Sequence, residues 1–597
     1  MRRENLRDRS LVNQEPISSV DTNNIRRSAV KREPKWWLKH YPAGVAHEVD
    51  LNRYTSLVQM AEESFEKFAD RAAYTCMGKT ITFDEVDQLS QAFGAWLQAR
   101  GLKRGDRVAL MMPNVLQYPV AILAVLRAGL VVVNVNPLYT PRELEHQLAD
   151  SGAQAIVILE NFATTLEKVI ASTEVKHVIV ATVGDLLGFV KGSIANYVVR
   201  NVKKAVPAYS LTGAIKFNAA IAEGRSLPLS RPKLGPEDIA FLQYTGGTTG
   251  VSKGAVLVHS NVYGNVLVSE AWLKPALEDT SRGVRPDPIV MVCALPMYHI
   301  FCLVSCMWLA LKTGGHSILI PNPRDVEGMI KSLAKYKFNV LPAVNTMFNS
   351  LVNHAQFQAL DFSNLRVSNG GGMAVQRAVA ENWLKTTGCP IVEGYGLTET
   401  SSGATCNEIM NRNYSGDVGM PMPSTEISIR DDEGNEVEFG EPGEICIRGP
   451  QVMRGYWQRP DAAAEVMTED GFFKSGDIGI MLENGHVKIV DRKKDMILVS
   501  GFNVYPNEIE DVVASCPGVM ECAAVGVPDE KTGEAVKLFV VKKDPSLTAE
   551  QVAAHCRKEL TGYKNPKVIV FRDALPKSNV GKILRRELRD EGKAVKT

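Results

Sequence analysis

Short apolar runs alternate with amphipathic stretches between residues 107 and 159. Arg107–Pro113, Leu130–Pro137 and Ala155–Leu159 are apolar and β-branched, which is typical of buried strands. Tyr118–Gly129 and Pro141–Gly152 separate them and carry the spacing of helices, each ending on a glycine. Strands that alternate with helices predict a parallel sheet with crossover helices, and hence an α/β fold.

The pattern changes near residue 491. The sequence DRKKDM carries five charges in six residues and directly follows the strand-like run His486–Val490. Glu521–Asp529 and Ala535–Lys543 then predict strands of a small α/β unit. A charged connector between two compact parts is a favourable place for a hinge. The predicted organisation is a basic, disordered arm (1–35), a large multilayer N-terminal domain (36–490), a hinge linker (491–496) and a small mobile α/β domain (497–597).

Composition narrows the class of protein. The chain has 597 residues, 45% apolar and 23% charged, which is ordinary for a globular protein of more than one packed unit. A net charge of +1 gives no reason to expect nucleic-acid binding. The ten cysteines form no Cys-x-x-Cys pair and no zinc-like spacing, so we interpret them as reduced thiols in the cytosol.

Two segments require care. Met1 to Lys39 holds ten Lys or Arg and no apolar core, so it does not resemble a secretory signal; a solvated tail and an arm on an anionic membrane both remain open. Ile289–Leu311 has 23 residues without Asp, Glu, Lys or Arg. Because Pro296 and His299 interrupt it, we predict a buried strand, a loop and a buried helix rather than a membrane span.

The stretch YTGGTTGVSKG, Tyr244–Gly254, is rich in glycine and threonine and follows the strand-like run Asp238–Gln243. Glycine lets backbone N–H groups approach a ligand, and clustered N–H groups with a lysine bind anions. The composition therefore suggests a polyphosphate clamp, although a loop without a ligand has the same composition. Lys253 lies between Ser252 and Gly254, so the stretch does not match a Walker A loop.

Further motifs follow in order: EGYGLTET (Glu393–Thr400), SGD (Ser475–Asp477), DRKKD (491–495) and PKSNVGKILR (Pro576–Arg585). Together with the glycine-rich stretch they resemble the signatures of the adenylate-forming superfamily, which includes acyl-CoA synthetases, luciferases and adenylation domains of peptide synthetases. From Trp37 to Glu591 the chain closely resembles bacterial long-chain fatty-acid–CoA ligases.

This resemblance implies a reaction in two halves. A fatty-acid carboxylate attacks the α-phosphate of ATP, which gives an acyl-adenylate and pyrophosphate; the thiol of coenzyme A then displaces AMP. Both halves place negative charge on phosphate oxygens, so the protein must position the reactants and neutralise charge. The implied ATP-binding residues are Tyr244, Thr245, Gly246, Gly247, Thr248, Thr249, Gly250, Lys253, Gly371, Gly372, Glu393, Gly394, Tyr395, Gly396, Thr398, Asp477 and Arg492.

Within that set the resemblance implies individual roles. Thr245 and Glu399 would hold Mg²⁺, a hard cation that prefers oxygen ligands. Tyr395 would stack on adenine and Glu393 would accept from its amino group. Asp477 would bind the ribose hydroxyls with help from Arg492.

The remaining implied roles concern catalysis and domain motion. Lys582 would stabilise the charge of the adenylation transition state, with Thr245 and Glu399 as its catalytic partners. His299 would lie beside the carboxylate and acyl pocket; a core histidine is the alternative. Lys494 would be the pivot of the small domain, and Gly501 would line the CoA channel, although a plain turn would also use a glycine.

One motif departs from the resemblance. Fatty-acyl synthetases usually carry DGWLHTGD, whereas this chain has DGFFKSGD with Phe472 and Phe473, so its acyl preference could differ.

The expected activity is ATP-dependent activation of long-chain fatty acids to acyl-CoA. Ligases of medium-chain or aryl acids and an inactive nucleotide-binding module remain alternatives.

The segment Leu186–Val206 raises the question of a membrane. Ile194, Val198, Val202 and Ala205 follow helical spacing beside the basic residues Lys191, Arg200, Lys203 and Lys204. Such a helix fits an anionic bilayer, but also a helix packed on its own domain. We expect a cytoplasmic protein on the inner face of the cytoplasmic membrane, and a homodimer is left open.

Overall fold

The computed structural model describes residues 33–245, 252–500, 502–529, 531–578 and 581–591. Its strands are β1 (Ala72–Cys76), β2 (Lys79–Thr82), β3 (Arg107–Met111), β4 (Val131–Asn134), β5 (Ala153–Leu159), β6 (His177–Ala181), β7 (Ile215–Lys216), β8 (Ile239–Tyr244), β9 (Gly254–Val258), β10 (Val290–Cys293), β11 (His316–Leu319), β12 (Val340–Ala343), β13 (Val367–Gly370), β14 (Ile391–Leu397), β15 (Ser402–Cys406), β16 (Met420–Pro421), β17 (Glu426–Arg430), β18 (Gly443–Arg448), β19 (Phe473–Met481), β20 (Val487–Arg492), β21 (Ile497–Val499), β22 (Phe502–Val504), β23 (Val519–Asp529), β24 (Gly533–Lys542) and β25 (Val568–Arg572).

Helices connect most of these strands. They are α1 (Leu57–Phe68), α2 (Phe83–Ala99), α3 (Gln117–Arg127), α4 (Pro141–Ser151), α5 (Ala163–Glu167), α6 (Phe189–Tyr197), α7 (Phe217–Gly224), α8 (His259–Glu278), α9 (Ile300–Cys302), α10 (Leu309–Thr313), α11 (Val326–Leu333), α12 (Asn345–Val352), α13 (Ala355–Gln358), α14 (Arg377–Thr387), α15 (Pro460–Val466), α16 (Pro506–Ala514), α17 (Ala549–Glu559) and α18 (Arg585–Asp590). Two π-helical segments, Val198–Val202 and Leu303–Trp308, continue α6 and α9.

Two large sheets carry the N-terminal part, and their order confirms the α/β prediction. One runs β7-β6-β5-β3-β4-β8-β9 and the other β16-β15-β14-β13-β12-β10-β11-β1-β2. β3 pairs in parallel with both β4 and β5, as the alternating pattern predicts. Antiparallel strands lie only toward the edges of each sheet among the described residues, so the carboxyl ends of the parallel strands share an edge.

Capping residues define both ends of α4. In α4, Thr140 caps the first turn and exchanges hydrogen bonds with Glu143, while Pro141 occupies the first position. Gly152 ends that helix in the left-handed conformation, with φ of 61°. The glycine stops in the sequence therefore gave helix boundaries that the structure confirms.

Buried side chains form layers around the two sheets. One core lies between the sheets and includes Leu110, Phe241 and Trp308. A second core, around Trp383, covers the outer face of the nine-stranded sheet, and a third, around Ile156, covers the outer face of the seven-stranded sheet. Sheets covered on both faces hold the strand ends rigidly, and the candidate site is built on those ends.

Two smaller sheets follow the large ones. β17 to β20 form an antiparallel sheet whose last strand ends at Arg492. The C-terminal part has its own sheet, which begins with β21 at Ile497. The predicted strands Glu521–Asp529 and Ala535–Lys543 are confirmed as β23 and β24, which pair in antiparallel register. Between the two sheets the chain makes a turn, in which the Asp495 N–H donates to the Arg492 carbonyl at 2.9 Å.

The apolar window Ile289–Leu311 folds as predicted. It contains β10, a loop through His299, and the helical segments from Ile300 onward, all packed in the core. Across the described ranges, which leave out residues 1–32, 246–251, 501, 530, 579–580 and 592–597, no helix has the length and apolarity needed to cross a membrane.

The segment after Leu186 differs from its predicted helical face. α6 ends at Tyr197, a π-helical turn follows to Val202, and Ala205 lies beyond both. Arg200 is not part of an open basic face, because it pairs with the buried carboxylate of Glu160 at 2.6 Å. Large apolar side chains nevertheless stay in solvent there, with Phe189 90% exposed and Tyr197 63% exposed.

Candidate functional site

The two ends of the glycine-rich stretch lie on paired antiparallel strands. Tyr244 ends β8 opposite Gly254 at the start of β9. At the neck of the loop, the Thr245 N–H donates to the Lys253 carbonyl at 3.0 Å. The predicted phosphate contacts Gly246, Gly247, Thr248, Thr249 and Gly250 lie outside the described residues. The structure therefore places the neck of the loop, with Thr245 and Lys253 side by side.

Tyr244 is anchored away from the loop. Its hydroxyl donates to Asp150 Oδ2 at 2.7 Å, and Asp150 also pairs with Arg459 at 2.8 Å. A Cβ on Gly254 would lie 3.0 Å from the Tyr244 ring, so only glycine fits opposite it without a shift. We interpret Tyr244 as a residue that fixes the base of the hairpin.

The strand ends of β13 and β14 form the predicted glycine face. A Cβ on Gly371 would lie 3.1 Å from the Phe301 ring and 3.3 Å from the Gly394 carbonyl oxygen. Gly372 has φ of 77°, and a Cβ on Gly396 would overlap the Ser402 carbonyl. A side chain at Gly371 or Gly396 would therefore meet neighbouring atoms, and Gly372 adopts a backbone conformation that favours glycine.

Glu393 lies on β14 and is buried. Its Oε1 accepts a hydrogen bond from the Val375 N–H at 3.0 Å. Burial raises the pKa of the Glu393 carboxyl to about 8, so at neutral pH the carboxyl is mostly protonated. The acceptor role implied for Glu393 is therefore shared with a backbone donor.

Buried Asp477 and Tyr395 form one group with the half-buried Arg492. The Tyr395 hydroxyl donates to Asp477 Oδ2 at 2.7 Å, and Arg492 Nε lies 3.1 Å from Oδ1. Asp477 and Arg492 are partners in the register of β19 and β20, which explains how residues 15 positions apart meet. Three predicted nucleotide ligands are thus brought together.

Glu399 lies in the short 3₁₀ turn Thr398–Thr400 and is buried. Its Oε1 accepts from the Tyr456 hydroxyl at 2.8 Å, and burial raises the pKa of its carboxyl. It makes no ion pair with a Lys or Arg of the described ranges. A nearby cation stabilises a buried carboxylate that has no ion pair, and carboxylate and hydroxyl oxygens such as those of Glu399 and Thr245 are the kind of donor that Mg²⁺ prefers.

Lys582 reaches the N-terminal part through its neighbour. The Thr346 hydroxyl, on α12, donates to the Gly581 carbonyl at 3.1 Å. Burial, with the nearby charge of Arg492, lowers the pKa of Lys582 to about 8, while Asp477 opposes that shift. The lysine therefore lies within electrostatic range of the Asp477 group.

His299 caps the start of α9, where its Nδ1 accepts from the Phe301 N–H at 3.4 Å. Burial and the charge of Lys582 lower its pKa to about 4, so the imidazole is neutral at neutral pH. Because the charge of Lys582 contributes to this shift, His299 lies within electrostatic range of Lys582. Its place beside the acyl pocket stays a prediction.

The connector contains the predicted pivot. Burial and the charge of Arg492 lower the pKa of Lys494. Asp491, one residue before Arg492, accepts from the Asn507 N–H at 3.0 Å and lies 3.5 Å from Arg585. Gly501, the predicted CoA-channel residue, lies outside the described residues.

Several residues of the site carried no signal in the sequence. Thr346 and Tyr456 belong to no motif that identifies them, and only the fold brings them to Gly581 and Glu399. The departure at DGFFKSGD has a packing reason: the Phe472 ring lies between the guanidinium groups of Arg430 and Arg448, each 4.4 Å from its centroid.

The fold also collects three thiols that are far from any metal-binding spacing in sequence. Cys293, Cys302 and Cys306 are buried with their sulfur atoms within 4.8 Å of one another, and Cys293 Sγ is 3.3 Å from Cys302 Sγ. Burial raises the pKa of Cys293 and Cys302 well above the usual range. Cys302 and Cys306 lie in the helical segments that follow His299, and Cys293 ends β10.

Comparisons with known proteins agree with this geometry. The family model described as AMP-binding enzyme matches residues 61–457, and the model of the AMP-binding enzyme C-terminal domain matches residues 508–582. Long-chain-fatty-acid–CoA ligases of Escherichia coli O157:H7 and Yersinia pestis are 57% and 56% identical, covering 94% and 93% of this chain and 98% of each relative. A crystal structure of an anthranilate CoA ligase with anthranoyl-AMP has a TM-score of 0.80 at 23% identity, over 92% of this chain and 99% of that one; at this identity it shows the fold.

Proposed function

The chain belongs to the family of AMP-binding enzymes, and from this membership we infer that it is a ligase that joins long-chain fatty acids to coenzyme A at the expense of ATP. The carboxylate attacks the α-phosphate and releases pyrophosphate, and the thiol of coenzyme A then replaces AMP. The observation that carries this function is the identity of more than half of the residues over nearly the full length of both chains.

We propose that the Asp477 group receives the nucleoside. Asp477 would bind the ribose hydroxyls, and Tyr395 and Arg492 hold its carboxylate in place from two sides. A carboxylate fixed in this way loses little conformational freedom when it binds a ligand. Gly371, Gly372 and Gly394 would lie against the flat adenine ring, with Glu393 at its edge. Thr398 would contact the α-phosphate.

The polyphosphate would lie between the hairpin neck and Glu399. Thr245 and Lys253 border the loop, and a Mg²⁺ ion held by Thr245 and Glu399 would neutralise charge on the phosphate oxygens. The buried Glu399 carboxylate supports that assignment, because burial without an ion pair favours a cation nearby.

Lys582 would act in the adenylation half. Its ammonium, with a pKa of about 8, is mostly protonated at pH 7, which suits a group that stabilises negative charge. The neutral His299 beside it would border the acid carboxylate and would not serve as a base, because a fatty acid is already ionised at neutral pH.

The small domain would rotate between the two halves. In the orientation described, Gly581 is seated on Thr346, and Asp491 receives hydrogen-bond donors from the far side of the connector. A rotation about Lys494 would part these contacts and move Lys582 away. Gly501 would then face the pantetheine of coenzyme A. We retain 36–490, 491–496 and 497–597 as the proposed domain, hinge and lid.

An acid panel tests the reaction. Purified protein is given ATP, coenzyme A and one of palmitate, octanoate, acetate or benzoate, and AMP release is compared with acyl-CoA formation. We expect the two products in equal amounts, with palmitate the best of the four acids. AMP release with acetate or benzoate alone would overturn the long-chain assignment.

The α6 surface favours contact with an anionic membrane. Gly192 and Ala195 face the protein, and a Cβ on Gly192 would lie 2.4 Å from a backbone oxygen of Gly184. Phe189, Ile194 and Tyr197 face solvent and are 90%, 60% and 63% exposed. A helix with small residues inside and large apolar residues outside has the opposite polarity to one packed only on its own domain.

Charge at the same surface supports an acidic lipid partner. Lys191, Lys203 and Lys204 are exposed around the apolar residues of α6 and the turn that follows it. Basic residues beside apolar ones favour interfacial binding to anionic lipid. Arg200 is left out of this surface because Glu160 neutralises it.

A further inference from the structure

Tyr456 lies on a segment that joins two parts of the nucleotide site. The segment Arg454–Trp457 runs antiparallel to β9. The Val256 N–H donates to the Gly455 carbonyl at 2.9 Å, and the Trp457 N–H donates to the Gly254 carbonyl at 2.8 Å. Tyr456 therefore lies opposite Ala255, on a segment that is paired with β9.

The Tyr456 side chain contacts a charged residue on each side. Its hydroxyl donates to Glu399 Oε1 at 2.8 Å, and the Lys253 ammonium lies 5.1 Å from the centroid of its ring. Three residues before Tyr456, the Met453 N–H donates to the Glu399 carbonyl at 2.8 Å. The proposed metal ligand and the lysine of the loop are thus held by one aromatic side chain.

We propose that Tyr456 is a positioning residue for ATP binding, which sets the Glu399 carboxylate and the Lys253 ammonium at a fixed separation. The hydrogen bond restricts rotation of the carboxylate, and the ring face attracts the ammonium. Both groups then meet the polyphosphate and its cation without reorganising. This proposal rests on the proposed nucleotide site.

A tyrosine that only packed would behave differently. Tyr263, on α8, is buried and donates to the Leu51 carbonyl at 3.1 Å, so its hydroxyl serves the backbone of the fold. Loss of such a hydroxyl lowers stability and leaves the dependence of ATP binding on Mg²⁺ unchanged. Tyr263→Phe is therefore the matched control for Tyr456→Phe.

The experiment measures binding and needs neither fatty acid nor coenzyme A. Isothermal titration calorimetry of ATP is repeated over a series of Mg²⁺ concentrations for wild type, Tyr456→Phe and Tyr263→Phe. We expect Tyr456→Phe to raise the half-saturating Mg²⁺ concentration by about tenfold, as for a lost hydrogen bond to a charged group. A wild-type Mg²⁺ dependence, or an equal shift in Tyr263→Phe, would overturn the proposal.

A second comparison isolates the ring. Tyr456→Leu removes both the hydroxyl and the aromatic face, so we expect it to bind ATP about threefold more weakly than Tyr456→Phe. In a Lys253→Met background the two variants should bind alike, because the ammonium is gone. If the threefold difference persists in that background, the Lys253 part of the proposal is wrong.

Failure of this proposal is distinct from failure of the proposed function. If wild type binds ATP with Mg²⁺ but converts no long-chain acid, the substrate assignment fails and the Tyr456 result still stands by itself. If wild type forms palmitoyl-CoA while Tyr456→Phe keeps normal Mg²⁺ dependence, only the positioning role fails.

Discussion

The hydroxyl of Thr346 donates a hydrogen bond of 3.1 Å to the carbonyl of Gly581, the residue directly before Lys582. Thr346 lies on α12 of the large domain and Gly581 on the small one. This contact joins the lysine-bearing turn to α12, the helix that follows β12. It also requires a glycine, since Gly581 has φ of 82°.

Gly581→Ala should impair adenylation selectively. The new Cβ would lie 2.8 Å from Thr346 Oγ1, and the left-handed conformation costs an alanine about 1 kcal/mol or more. We expect pyrophosphate exchange to fall roughly tenfold, with thioester formation from supplied acyl-adenylate retained. Gly562→Ala, where a Cβ meets open space, is the control; equal losses in both half-reactions would contradict the seating role.

The pH dependence of adenylation should report Lys582. With a pKa of about 8, the ammonium is charged below that pH and neutral above it. We therefore expect kcat/KM for ATP in pyrophosphate exchange to fall as pH rises through about 8, and this limb to move upward in Lys582→Arg. Lys577→Ala is the control, because Lys577 lies five residues before Lys582 and pairs with Glu521. This variant should keep the wild-type pH profile. An unchanged limb in Lys582→Arg would reject the assignment of the limb to Lys582.

Lys494→Pro should slow thioester formation more than adenylation. Proline fixes φ and so limits rotation about the connector. The neighbouring N–H groups of Lys493 and Asp495 donate to Gly476 and Arg492, whereas none of the described backbone hydrogen bonds uses the N–H of Lys494. The two half-reactions are assayed separately, with Lys494→Ala as the control for the side chain. Equal loss in both would reject the pivot.

Glu393→Gln should stabilise the protein increasingly as pH rises. The folded-state pKa of Glu393, about 8, lies above its unfolded value of 4.5, so the folded protein retains a proton that the unfolded chain loses. The contribution of Glu393 to stability is then complete below pH 4.5 and declines up to about pH 8. Melting curves of wild type and variant should diverge with an upper limit of about 1.4 kcal/mol per pH unit; parallel pH profiles would show that Glu393 is ionised when folded.

Membrane binding should depend on the apolar residues of α6. We expect Phe189→Ser with Ile194→Ser to abolish co-sedimentation with vesicles that contain anionic phospholipid, and Lys203→Glu with Lys204→Glu to weaken it in a salt-dependent way. Glu66, exposed on α1 and outside this surface, provides the charge control as Glu66→Lys. Co-sedimentation that survives both pairs of substitutions would remove α6 as the contact.

Much of the fold followed from the order of patterns along the chain. The three predicted strands between Arg107 and Leu159 lie in one parallel sheet, because apolar runs joined by helical stretches have few other ways to bury both faces. The prediction was wrong in detail at Leu186–Val206. Helical spacing there was read as a single face, whereas the structure turns small residues inward and pairs Arg200 with Glu160.

The motifs identified residues of the candidate site but not their partners. Asp477 and Arg492 stand in separate signatures, and the register of β19 and β20 makes them neighbours. Tyr456 lies outside these signatures, and only its contact with Glu399 in the folded protein identifies it as part of the candidate site. Partners that are distant in sequence leave no periodic trace, so pattern and spacing do not reveal them.

By itself, the sequence determined the α/β class, the order of the signatures and the types of side chain available for the reaction. Those properties are local, since they depend on periodicity and on residues within a few positions of one another. The tertiary structure decided which carboxylates are buried, which lysine approaches Asp477 and which tyrosine holds Glu399. Burial and proximity set pKa values and charge, and both arise only when distant segments pack together.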